Sequence, residues 1–413
     1  MQKSHYDVIV IGGGASGMMA AGRAAERGKS VLLLERNKRL GEKLRISGGG
    51  RCNILNAEPD EKKLLSNFGE SEKFLYSAFS KYGMQDAYAY FESMDLPLKT
   101  EANKRAFPIS ENAADVVHVL ETYMKKGKVD VRLGTGVQSM VCNEGRIEKI
   151  VALGEEFTAN SYILATGGLS HPETGSTGAG FIWLRELGHT VLDPTPTIVP
   201  LKVKESWVKK LSGKSLPDVK ITFYVNGKKK LSKTGTILCT HFGISGPTIL
   251  NVAGRVADML HEGVVTAILD LYPSMDLGIL DKHISSVFDK NKNKLLKNVF
   301  KELVPAGTSE ILLSRVPLID SETKVHSILK EERRALAELL KGLPLTIEGL
   351  MGLDRAVVAD GGVPLSELDM RTMKSKKIQN LYITGDLLHI TRPSGGYSLQ
   401  LCWTTGYVAG DSA

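Results

Sequence analysis

Residues 6–17 read YDVIVIGGGASG, an apolar run that passes directly into a glycine-rich turn. An alanine-rich stretch typical of a helix comes next, and a second apolar run at residues 30–34 ends on Glu35. A strand, a G-x-G-x-x-G turn, a helix, a second strand and an acid at its tip follow one another in the order that a dinucleotide-binding site requires. The sequence therefore predicts such a site near the start of the chain.

The glycines of this turn have separate roles in the prediction. Gly12 allows the tight turn, Gly14 lets a pyrophosphate approach the backbone, and Gly17 lets helix and strand pack closely. Free N–H groups at the start of the helix favour negative phosphates, and Glu35 is placed to accept hydrogen bonds from an adenosine ribose. The cofactor-binding residues predicted in this region are Gly12, Gly14, Ala15, Ser16, Gly17, Glu35 and Arg36.

Two further glycine-rich segments favour FAD over NAD. Residues 36–56 hold too many glycines for a helix or a strand, and an isoalloxazine lying against backbone would need such a loop. Near the C-terminus a predicted strand ends on Gly385 and Asp386, and residues 394–397 open a last helix. An acid after a strand can bind ribityl hydroxyls, and a helix N-terminus beside the pyrimidine ring would stabilise the negative charge of a reduced flavin. The cofactor-binding residues predicted in these segments are Lys43, Gly49, Gly50, Arg51, Cys52, Asn53, Gly385, Asp386, Gly395, Gly396 and Tyr397.

The chain resembles the bacterial NAD(P)/FAD-dependent oxidoreductase family, the aminoacetone-oxidase-like and BaiN-like flavoproteins. The motifs that carry the resemblance are GGGASG (12–17), SGGGRCN (47–53), RAFPIS (105–110), ATGG (165–168), GSTGAG (175–180), THFGISGP (240–247), ADGGV (359–363) and SGGYSLQ (394–400). They span nearly the whole chain and are specific to the family, whose members perform different redox reactions. The cofactor-binding prediction also includes Val137, Ala165, Thr166, Gly167 and Gly168. The C-terminal segment departs from the family's usual pattern at His389, Arg392 and Pro393.

We expect an α/β fold with a discontinuous nucleotide domain. It is a Rossmann-like FAD-binding domain of the glutathione-reductase type, with inserted β-barrel-like and helical subdomains. The predicted boundaries are 1–193 for the first part of the FAD-binding domain, 194–275 for an inserted β unit, 276–345 for a helical unit, and 346–413 for the return to the FAD-binding domain. The GSTGAG segment follows a His-Pro turn instead of a strand, so no separate NAD(P)H domain is predicted. A nicotinamide donor would visit the substrate cavity transiently.

Composition narrows the class of protein. The chain of 413 residues is 42% hydrophobic and 24% charged, as expected for a globular enzyme. Its four cysteines contain no C-x-x-C pair, which argues against a structural metal site or a disulfide framework. No run of about eighteen apolar residues predicts a membrane span, and the N-terminus lacks a secretory pattern. We therefore expect a cytoplasmic protein with no metal and no membrane partner; its oligomeric state is not predicted.

The positive charge is concentrated in one segment. Residues 202–233 contain ten lysines against Glu205 and Asp218, an excess of eight positive charges, whereas the whole chain carries +7. One interpretation is a solvated hairpin around Asn226 and Gly227, with lysines that block edge pairing. The other is a docking surface for an anionic partner. Because no RNA-binding signature or interleaved aromatic residue accompanies the lysines, a nucleic-acid partner is not expected.

The chemistry itself belongs to the flavin. We predict that His389, Arg392 and Tyr397 are catalytic: Arg392 would bind an anionic or carbonyl group, and His389 or Tyr397 would exchange a proton. The alternative is that the three residues only cap the turn or contact the cofactor. Cys52 is either a redox thiol whose pKa is lowered by Arg51 or a packed thiol near the flavin.

The predicted function is an FAD-dependent two-electron oxidation or reduction of a small organic substrate. An NAD(P)H-fed ene-type reductase and an O₂-using oxidase are both compatible with the residues. The alternative function is a macromolecule-directed or non-catalytic flavoprotein that uses the lysine-rich segment as a docking surface. His241 and Arg105 are further candidates for lining the cavity, and the sequence does not assign them a role.

Overall fold

A computed structural model describes residues 5–316 and 319–413. The chain divides into two compact units. One is formed by Met1–Pro196 with Ala356–Ala413, and the other by Thr197–Arg355. The first unit is therefore discontinuous in sequence, and the second is an insertion within it.

The N-terminal part of the first unit begins with a strand, a helix and a second strand, as the opening residues predict. Its elements are β1 (His5–Ile11), α1 (Ala15–Glu26), β2 (Val31–Leu34), α2 (Glu42–Ile46), β3 (Leu55–Asn56), α3 (Glu61–Ser66), α4 (Glu72–Phe79), α5 (Met84–Ser93), β4 (Leu98–Glu101), β5 (Arg105–Pro108), α6 (Ala113–Lys126), β6 (Asp130–Arg132), β7 (Val137–Asn143), β8 (Arg146–Ala152), β9 (Glu155–Leu164), α7 (Ala179–Glu186) and β10 (Leu192–Ile198).

The inserted unit is built on a barrel. Its elements are β11 (Leu201–Val203), α8 (Ser206–Lys210), β12 (Ser215–Val225), β13 (Lys228–Cys239), β14 (Gly243–Ser245), α9 (Pro247–Leu250), α10 (Ala253–Glu262), β15 (Val265–Asp270), α11 (Leu277–Lys290), α12 (Leu296–Val299), α13 (Ser309–Leu313), α14 (Lys330–Lys341) and β16 (Leu343–Leu350). The six strands close in the order β11-β14-β13-β12-β15-β16 within the described residues. The helices α11 to α14 thus lie between two neighbouring strands of the barrel.

The predicted boundary at 345/346 falls inside β16, the last strand of this barrel. Leu345 pairs with Ala267 on β15, and Ile347 pairs with both Val265 and Val203. The Lys- and Leu-rich helical pattern ends at Lys341, and the alternating burial of residues 343–347 marks a strand that returns to the barrel. The chain re-enters the first unit only at Ala356.

The first unit is completed by the C-terminal segment. Its elements are β17 (Val358–Gly362), β18 (Leu368–Asp369), β19 (Lys374–Ser375), β20 (Leu381–Ile383) and α15 (Tyr397–Ser412). The main sheet has the strand order β18-β19-β20-β9-β1-β2-β6, with β7 and β8 attached to β9. Strands β6, β2, β1, β9 and β20 run parallel. The side chains of β2 and β20 are all buried and those of β1 are mostly buried, because helices cover the centre of a parallel sheet on both faces.

Helices α1 and α15 pack backbone to backbone. A Cβ on Gly406 would collide with the carbonyl of Ser16, and one on Gly410 would collide with the carbonyl of Ala20. Because the contacts advance together along both helices, the two run in the same direction. Helix α15 begins nine residues before Gly406, so its start extends beyond the start of α1 by about 12 Å at 1.5 Å per residue. The structure therefore aligns two helix N-termini on one side of the unit.

Candidate cofactor and active site

The first glycine turn connects β1 to α1 and leaves one open position. Gly12 has φ of +107°, and a Cβ there would lie 2.5 Å from the carbonyl oxygen of Ala165. A Cβ on Gly17 would collide with the carbonyl of Gly12. In contrast, a Cβ on Gly14 would meet no atom within 4 Å. Gly12 and Gly17 are thus required by packing, whereas Gly14 faces the space in front of the N–H groups that open α1.

The acid at the tip of β2 is fixed by backbone donors. Glu35 is 7% exposed, and its carboxylate accepts hydrogen bonds from the N–H groups of Gly13 at 2.6 Å and Asn37 at 2.8 Å. Burial raises the pKa of Glu35, although both hydrogen bonds favour the ionised form. The carboxylate is therefore oriented at the edge where the first glycine turn begins.

Two other predicted segments meet this edge. The Arg36 guanidinium donates to Thr177 Oγ1 at 2.7 Å, which places the GSTGAG segment beside the end of β2. A Cβ on Gly136 would lie 3.5 Å from the Cβ of Arg36, so Val137, at the start of β7, follows directly after this contact. The ATGG segment begins where β9 ends: Ala165 N–H donates to the carbonyl of Ile11 at 2.9 Å.

The far end of the ATGG segment reaches the C-terminal acid. A Cβ on Gly168 would lie 3.1 Å from the carbonyl oxygen of Asp386, and one on Gly167 would lie 2.8 Å from Ser176 Oγ. Thr166 Oγ1 is buried and has no hydrogen-bond partner among the described residues. Residues 165–168 thus run from the first glycine turn to Asp386.

Asp386 is the centre of a buried ionic cluster. Its carboxylate accepts from Lys43 Nζ at 2.9 Å and from the guanidinium of Arg392. Lys43 Nζ also donates to Ser170 Oγ at 2.8 Å. Burial alone would raise the pKa of Asp386, but the charges of Lys43 and Arg392 outweigh it and lower the pKa to about 2. The cluster presents an ionised carboxylate and a lysine with 28% of its side chain exposed.

Arg392 uses its donors inside the protein. Besides Asp386 it donates to the carbonyl of Ile390 at 2.6 Å and to Ser398 Oγ at 3.1 Å, and its side chain is 2% exposed. The prediction that Arg392 overhangs the flavin and binds substrate differs from this arrangement, in which each guanidinium nitrogen donates to a protein atom. The guanidinium lies where it orients Asp386 and the first turn of α15.

The start of α15 is held by the loop that carries the second group of glycines. Asn53 accepts from the N–H of Gly396 at 3.0 Å in the amide orientation that satisfies both of its ends. Asn56 Nδ2 donates to the carbonyl of Gly395 at 3.1 Å, and Trp403 Nε1 donates to the carbonyl of Ile54 at 2.9 Å. The predicted residues Asn53, Gly395 and Gly396 therefore meet, although more than 340 residues separate them.

The glycines that precede Asn53 are open. Gly49 and Gly50 have φ of +69° and +86°, and a Cβ on either would meet no atom within 4 Å. Cys52, in contrast, is fully buried with φ of +59°, and burial raises the pKa of its thiol to about 12. Arg51 pairs with Glu101 and with Glu111, the latter at 2.9 Å, and stacks on Phe107. The suggestion that Arg51 lowers the pKa of Cys52 is therefore wrong, and the packed thiol is what the structure contains.

The other two predicted catalytic residues, His389 and Tyr397, are both partly buried. Tyr397 packs edge-on against Phe68, with ring centroids 5.7 Å apart, and burial raises the pKa of its phenol. His389 is half-buried, and its Nδ1 is buried without a hydrogen-bond partner among the described residues. Its backbone N–H donates to the carbonyl of Val363 at 2.9 Å, which ties it to the end of β17.

Residues that sequence analysis gave no role lie beside this segment. Asp360 on β17 is 9% exposed and accepts from Thr391 Oγ1 at 2.8 Å, while its Oδ1 has no partner among the described residues. Ser170 joins the cluster of Lys43 and Asp386. Asp360 lies within the ADGGV motif, which was the only available signal. Of the two unassigned candidates, Arg105 donates to the carbonyl of Ala102 at 3.2 Å, and His241 packs against Phe242 in the inserted unit.

The arrangement fits an elongated dinucleotide. Open backbone lies at Gly14 in front of α1 and at Gly49 and Gly50 near the start of α15. A fixed carboxylate, Glu35, stands at one end, and the Asp386 cluster stands between the two helix N-termini. Because the overhang of α15 over α1 is about 12 Å, a phosphate group at α1 and a flavin ring at α15 could be held by one FAD molecule. The fold and the site define a Rossmann-type flavoprotein.

Comparison with known proteins gives the family. Residues 6–412 match the family described as "HI0933-like protein Rossmann domain", and the chain belongs to it. It is 31% identical over 98% of both chains to the 3-dehydro-bile acid delta(4,6)-reductase of Clostridium scindens. It is 28% identical to the ribosomal RNA dihydrouridine synthase of Haemophilus influenzae, over 97% of this chain and 96% of that one.

A solved structure shows the same fold at low sequence identity. The 3-ketosteroid delta1-dehydrogenase of Sterolibacterium denitrificans superposes with a TM-score of 0.57 over 99% of both chains, at 14% identity. The family and the fold confirm the predicted Rossmann-like FAD-binding domain with an inserted barrel, and the chain is a flavin-dependent oxidoreductase. Among the described residues, no helix is long and apolar enough to cross a membrane, and no cluster of three potential metal ligands occurs.

Proposed function

We propose that the protein is an FAD-dependent reductase of a carbon–carbon double bond conjugated to a carbonyl group. The observation that carries the proposal is the full-length match to a 3-dehydro-bile acid delta(4,6)-reductase and to a ribosomal RNA dihydrouridine synthase. The first name describes double bonds conjugated to a ketone. The second describes reduction of the uracil C5–C6 bond, which is conjugated to a ring carbonyl. One hydride transfer followed by one proton transfer saturates one such double bond in either substrate.

The cofactor would lie along the segments described above. Gly14, Ala15 and Ser16 would face the pyrophosphate, and Glu35 would accept from the adenosine ribose. Asp386, held by Lys43 and Arg392, would accept from ribityl hydroxyls. Bound FAD would supply the hydride chemistry. Since no histidine or cysteine occupies a covalent-attachment motif, we expect FAD to be released on denaturation; recovery of FMN or of a covalent flavin would refute the assignment.

The protein's own residues contribute electrostatic stabilisation and a proton to the reaction. The free N–H groups at the start of α15 would stabilise negative charge on the pyrimidine side of the ring. Reduction of a conjugated double bond also needs a proton for the carbon next to the carbonyl. Tyr397 keeps its proton at neutral pH because burial raises its pKa, and His389 offers a buried ring nitrogen. We assign proton delivery to one of these two residues.

NAD(P)H is the proposed electron donor, and it would bind transiently at the flavin. In the described residues, one G-x-G-x-x-G turn follows a strand and opens a helix. The GSTGAG segment follows a short 3-10 turn, Pro172–Thr174, and packs against Asn37: a Cβ on Gly175 would lie 2.6 Å from Asn37 Nδ2. This placement leaves the nicotinamide without a dedicated domain, so it would exchange with the substrate at the flavin.

Anaerobic stopped-flow spectroscopy tests the reaction class. The purified flavoprotein is reduced with NADH or NADPH and then mixed with a conjugated steroid ketone, with uridine-containing RNA, or with O₂. We expect a conjugated double bond to reoxidise the flavin faster than O₂ does. Faster reoxidation by O₂, with neither double-bond substrate active, would identify an oxidase and contradict the proposal.

A further inference from the structure

The inserted unit carries a concentration of lysines, most of which form no ion pair with a described acidic residue. Of the ten lysines in residues 202–233, eight are exposed. One ion pair involving them occurs in the described residues, between Lys230 and Glu262 at 2.6 Å. The excess positive charge of this segment is therefore presented to the solvent instead of being neutralised within the unit.

Strand register groups part of this charge on one side of the barrel. On β12, Ile221, Phe223 and Val225 are buried and fill the barrel, so the alternating residues Lys220 and Tyr224 face outward. The side chains that share this outward side on β12, β13 and β15, here called the hairpin face, are Lys220, Thr222, Tyr224, Lys229, Ser232, Thr234, Thr266, Ile268 and Asp270. The one acid among them, Asp270, lies opposite Lys220 and is neutralised by an ion pair with Lys341 at 2.6 Å.

The hairpin face combines cations with an aromatic ring. Tyr224 is half-buried and pairs with Lys229 on one neighbouring strand and with Thr266 on the other. Thr222 lies directly opposite Ile268, which is 37% exposed. The order of residues along the chain does not interleave aromatic residues with the lysines, because Tyr224 and Lys229 lie on opposite sides of the hairpin turn. Antiparallel pairing makes them direct neighbours.

We infer that the hairpin face is a docking surface for single-stranded RNA. Lysines that are not paired with a carboxylate bind phosphates, and the exposed part of an aromatic ring beside them, here Tyr224, stacks on bases without sequence preference. Ile268 and the hydroxyl of Thr266 extend this surface across a third strand. The inference deepens the proposed function, on which it rests for its consequence: the conjugated double bond would be that of a uracil delivered within RNA.

Fluorescence anisotropy with a labelled oligouridine tests the binding on the FAD-loaded full chain. One variant, the hairpin variant, replaces Lys220 and Lys229 of the hairpin face and the adjacent exposed Lys228 with Gln. The matched control replaces Lys282, Lys294 and Lys301 with Gln, which removes the same charge from exposed positions of the same unit. We expect the hairpin variant to bind at least about tenfold more weakly and its salt slope to fall by about 2, since each single-strand phosphate contact contributes about 0.7.

A second variant, Tyr224→Leu, keeps an apolar side chain and all lysines. It should weaken binding by about tenfold with an unchanged salt slope, because stacking is lost and charge is not. Equal weakening by the hairpin and control variants, or tighter binding of the wild-type protein to phosphatidylserine vesicles than to RNA, would overturn the docking surface.

Reduction of a steroid ketone by the same preparations separates the two proposals. Loss of RNA binding in the hairpin variant with normal steroid reduction supports the docking surface. Wild-type protein that reduces the steroid but does not bind RNA overturns the docking surface alone. If RNA binding follows the expected pattern but the protein reduces neither substrate, the proposed reaction is contradicted and the docking surface is still supported.

Discussion

The guanidinium of Arg392 donates a hydrogen bond to the carboxylate of Asp386, in a part of the first unit where their side chains are 2% and 15% exposed. Lys43 binds the other carboxylate oxygen at 2.9 Å. A buried carboxylate is stable in the ionised form only with such partners. We therefore expect Arg392 to act by positioning Asp386.

Replacement of Arg392 by Ala should reduce both FAD affinity and stability. It leaves Asp386 with one cation in place of two, and loss of one partner from a buried ion pair costs about 3–5 kcal/mol. Flavin fluorescence quenching and thermal unfolding measure the two effects. Arg334→Ala is the matched control, because its exposed pair with Glu338 should contribute less than about 1 kcal/mol. Normal FAD affinity and stability with reduced turnover would instead support a substrate-binding role.

The two glycines of the first turn should respond differently to a side chain. Gly14 has φ of −84° and an open Cβ position, so Gly14→Val should fold and lose FAD through obstruction of the pyrophosphate. Gly12→Ala should lower stability even without FAD, because its Cβ would meet the carbonyl of Ala165 and its φ is positive. Circular dichroism of the apoproteins and FAD titration distinguish the outcomes. Normal FAD binding by Gly14→Val would make the turn structural only.

Tyr397→Phe tests proton delivery. If the phenol supplies the proton, reoxidation of the reduced flavin by substrate should slow by about 10²–10⁴-fold, while reduction by NAD(P)H stays normal. Because burial raises the phenol pKa, the wild-type rate should be constant from neutral to mildly alkaline pH. Tyr76→Phe, at a position 65% exposed, is the control. A normal rate in Tyr397→Phe, together with a slow His389→Gln variant, would transfer the role to His389.

Stability should depend on a network of polar side chains that lies beside strands β18 and β19 of the main sheet. His189 contacts Glu367 at 2.6 Å and Ser375 at 2.8 Å, and Lys377 binds Glu367 at 2.9 Å. Burial would raise the pKa of Glu367, but hydrogen bonds from Lys377, Thr190 and His189 lower it to about 2.

A lowered carboxyl pKa stabilises the folded state above the unfolded pKa, and this contribution is lost as pH falls from about 4.5 toward about 2. Glu367→Gln should therefore lower the free energy of unfolding by about 3 kcal/mol at pH 7, and the difference from wild type should shrink at pH below about 4. Urea unfolding at several pH values measures it. Glu186→Gln, at an exposed position, is the control. A difference that grows on acidification would contradict the assignment of the charge to Glu367.

Cys52 should be chemically inert in the folded protein. Burial raises its thiol pKa to about 12, so little thiolate exists at neutral pH. We expect Cys52 to resist alkylation by iodoacetamide until the protein unfolds, whereas the exposed Cys142 reacts at once. Mass spectrometry of peptides identifies the modified residue. Rapid alkylation of Cys52, or loss of flavin reduction in Cys52→Ser, would restore the redox role.

The sequence by itself determined the nucleotide-binding start of the fold. Residues 6–35 form a strand, a turn, a helix and a strand whose geometry depends on contacts close in sequence. Tight turns need glycine and buried parallel strands need continuous apolar runs. The second glycine-rich loop and the last helix could also be predicted, because the residues of each segment specify its local conformation. This local character explains why the family-level fold could be predicted.

The tertiary structure alone decided which charges and rings meet. Asp386 accepts a hydrogen bond from Lys43, 343 residues away, and Asp360 accepts one from Thr391. Tyr224 pairs with Lys229 across a hairpin. These pairings depend on strand register and helix packing, which bring together residues that no spacing rule connects. Arg392 illustrates the consequence. Its charge suggested a substrate ligand, but burial makes an unpaired guanidinium unfavourable, and the fold supplies the carboxylate that binds it.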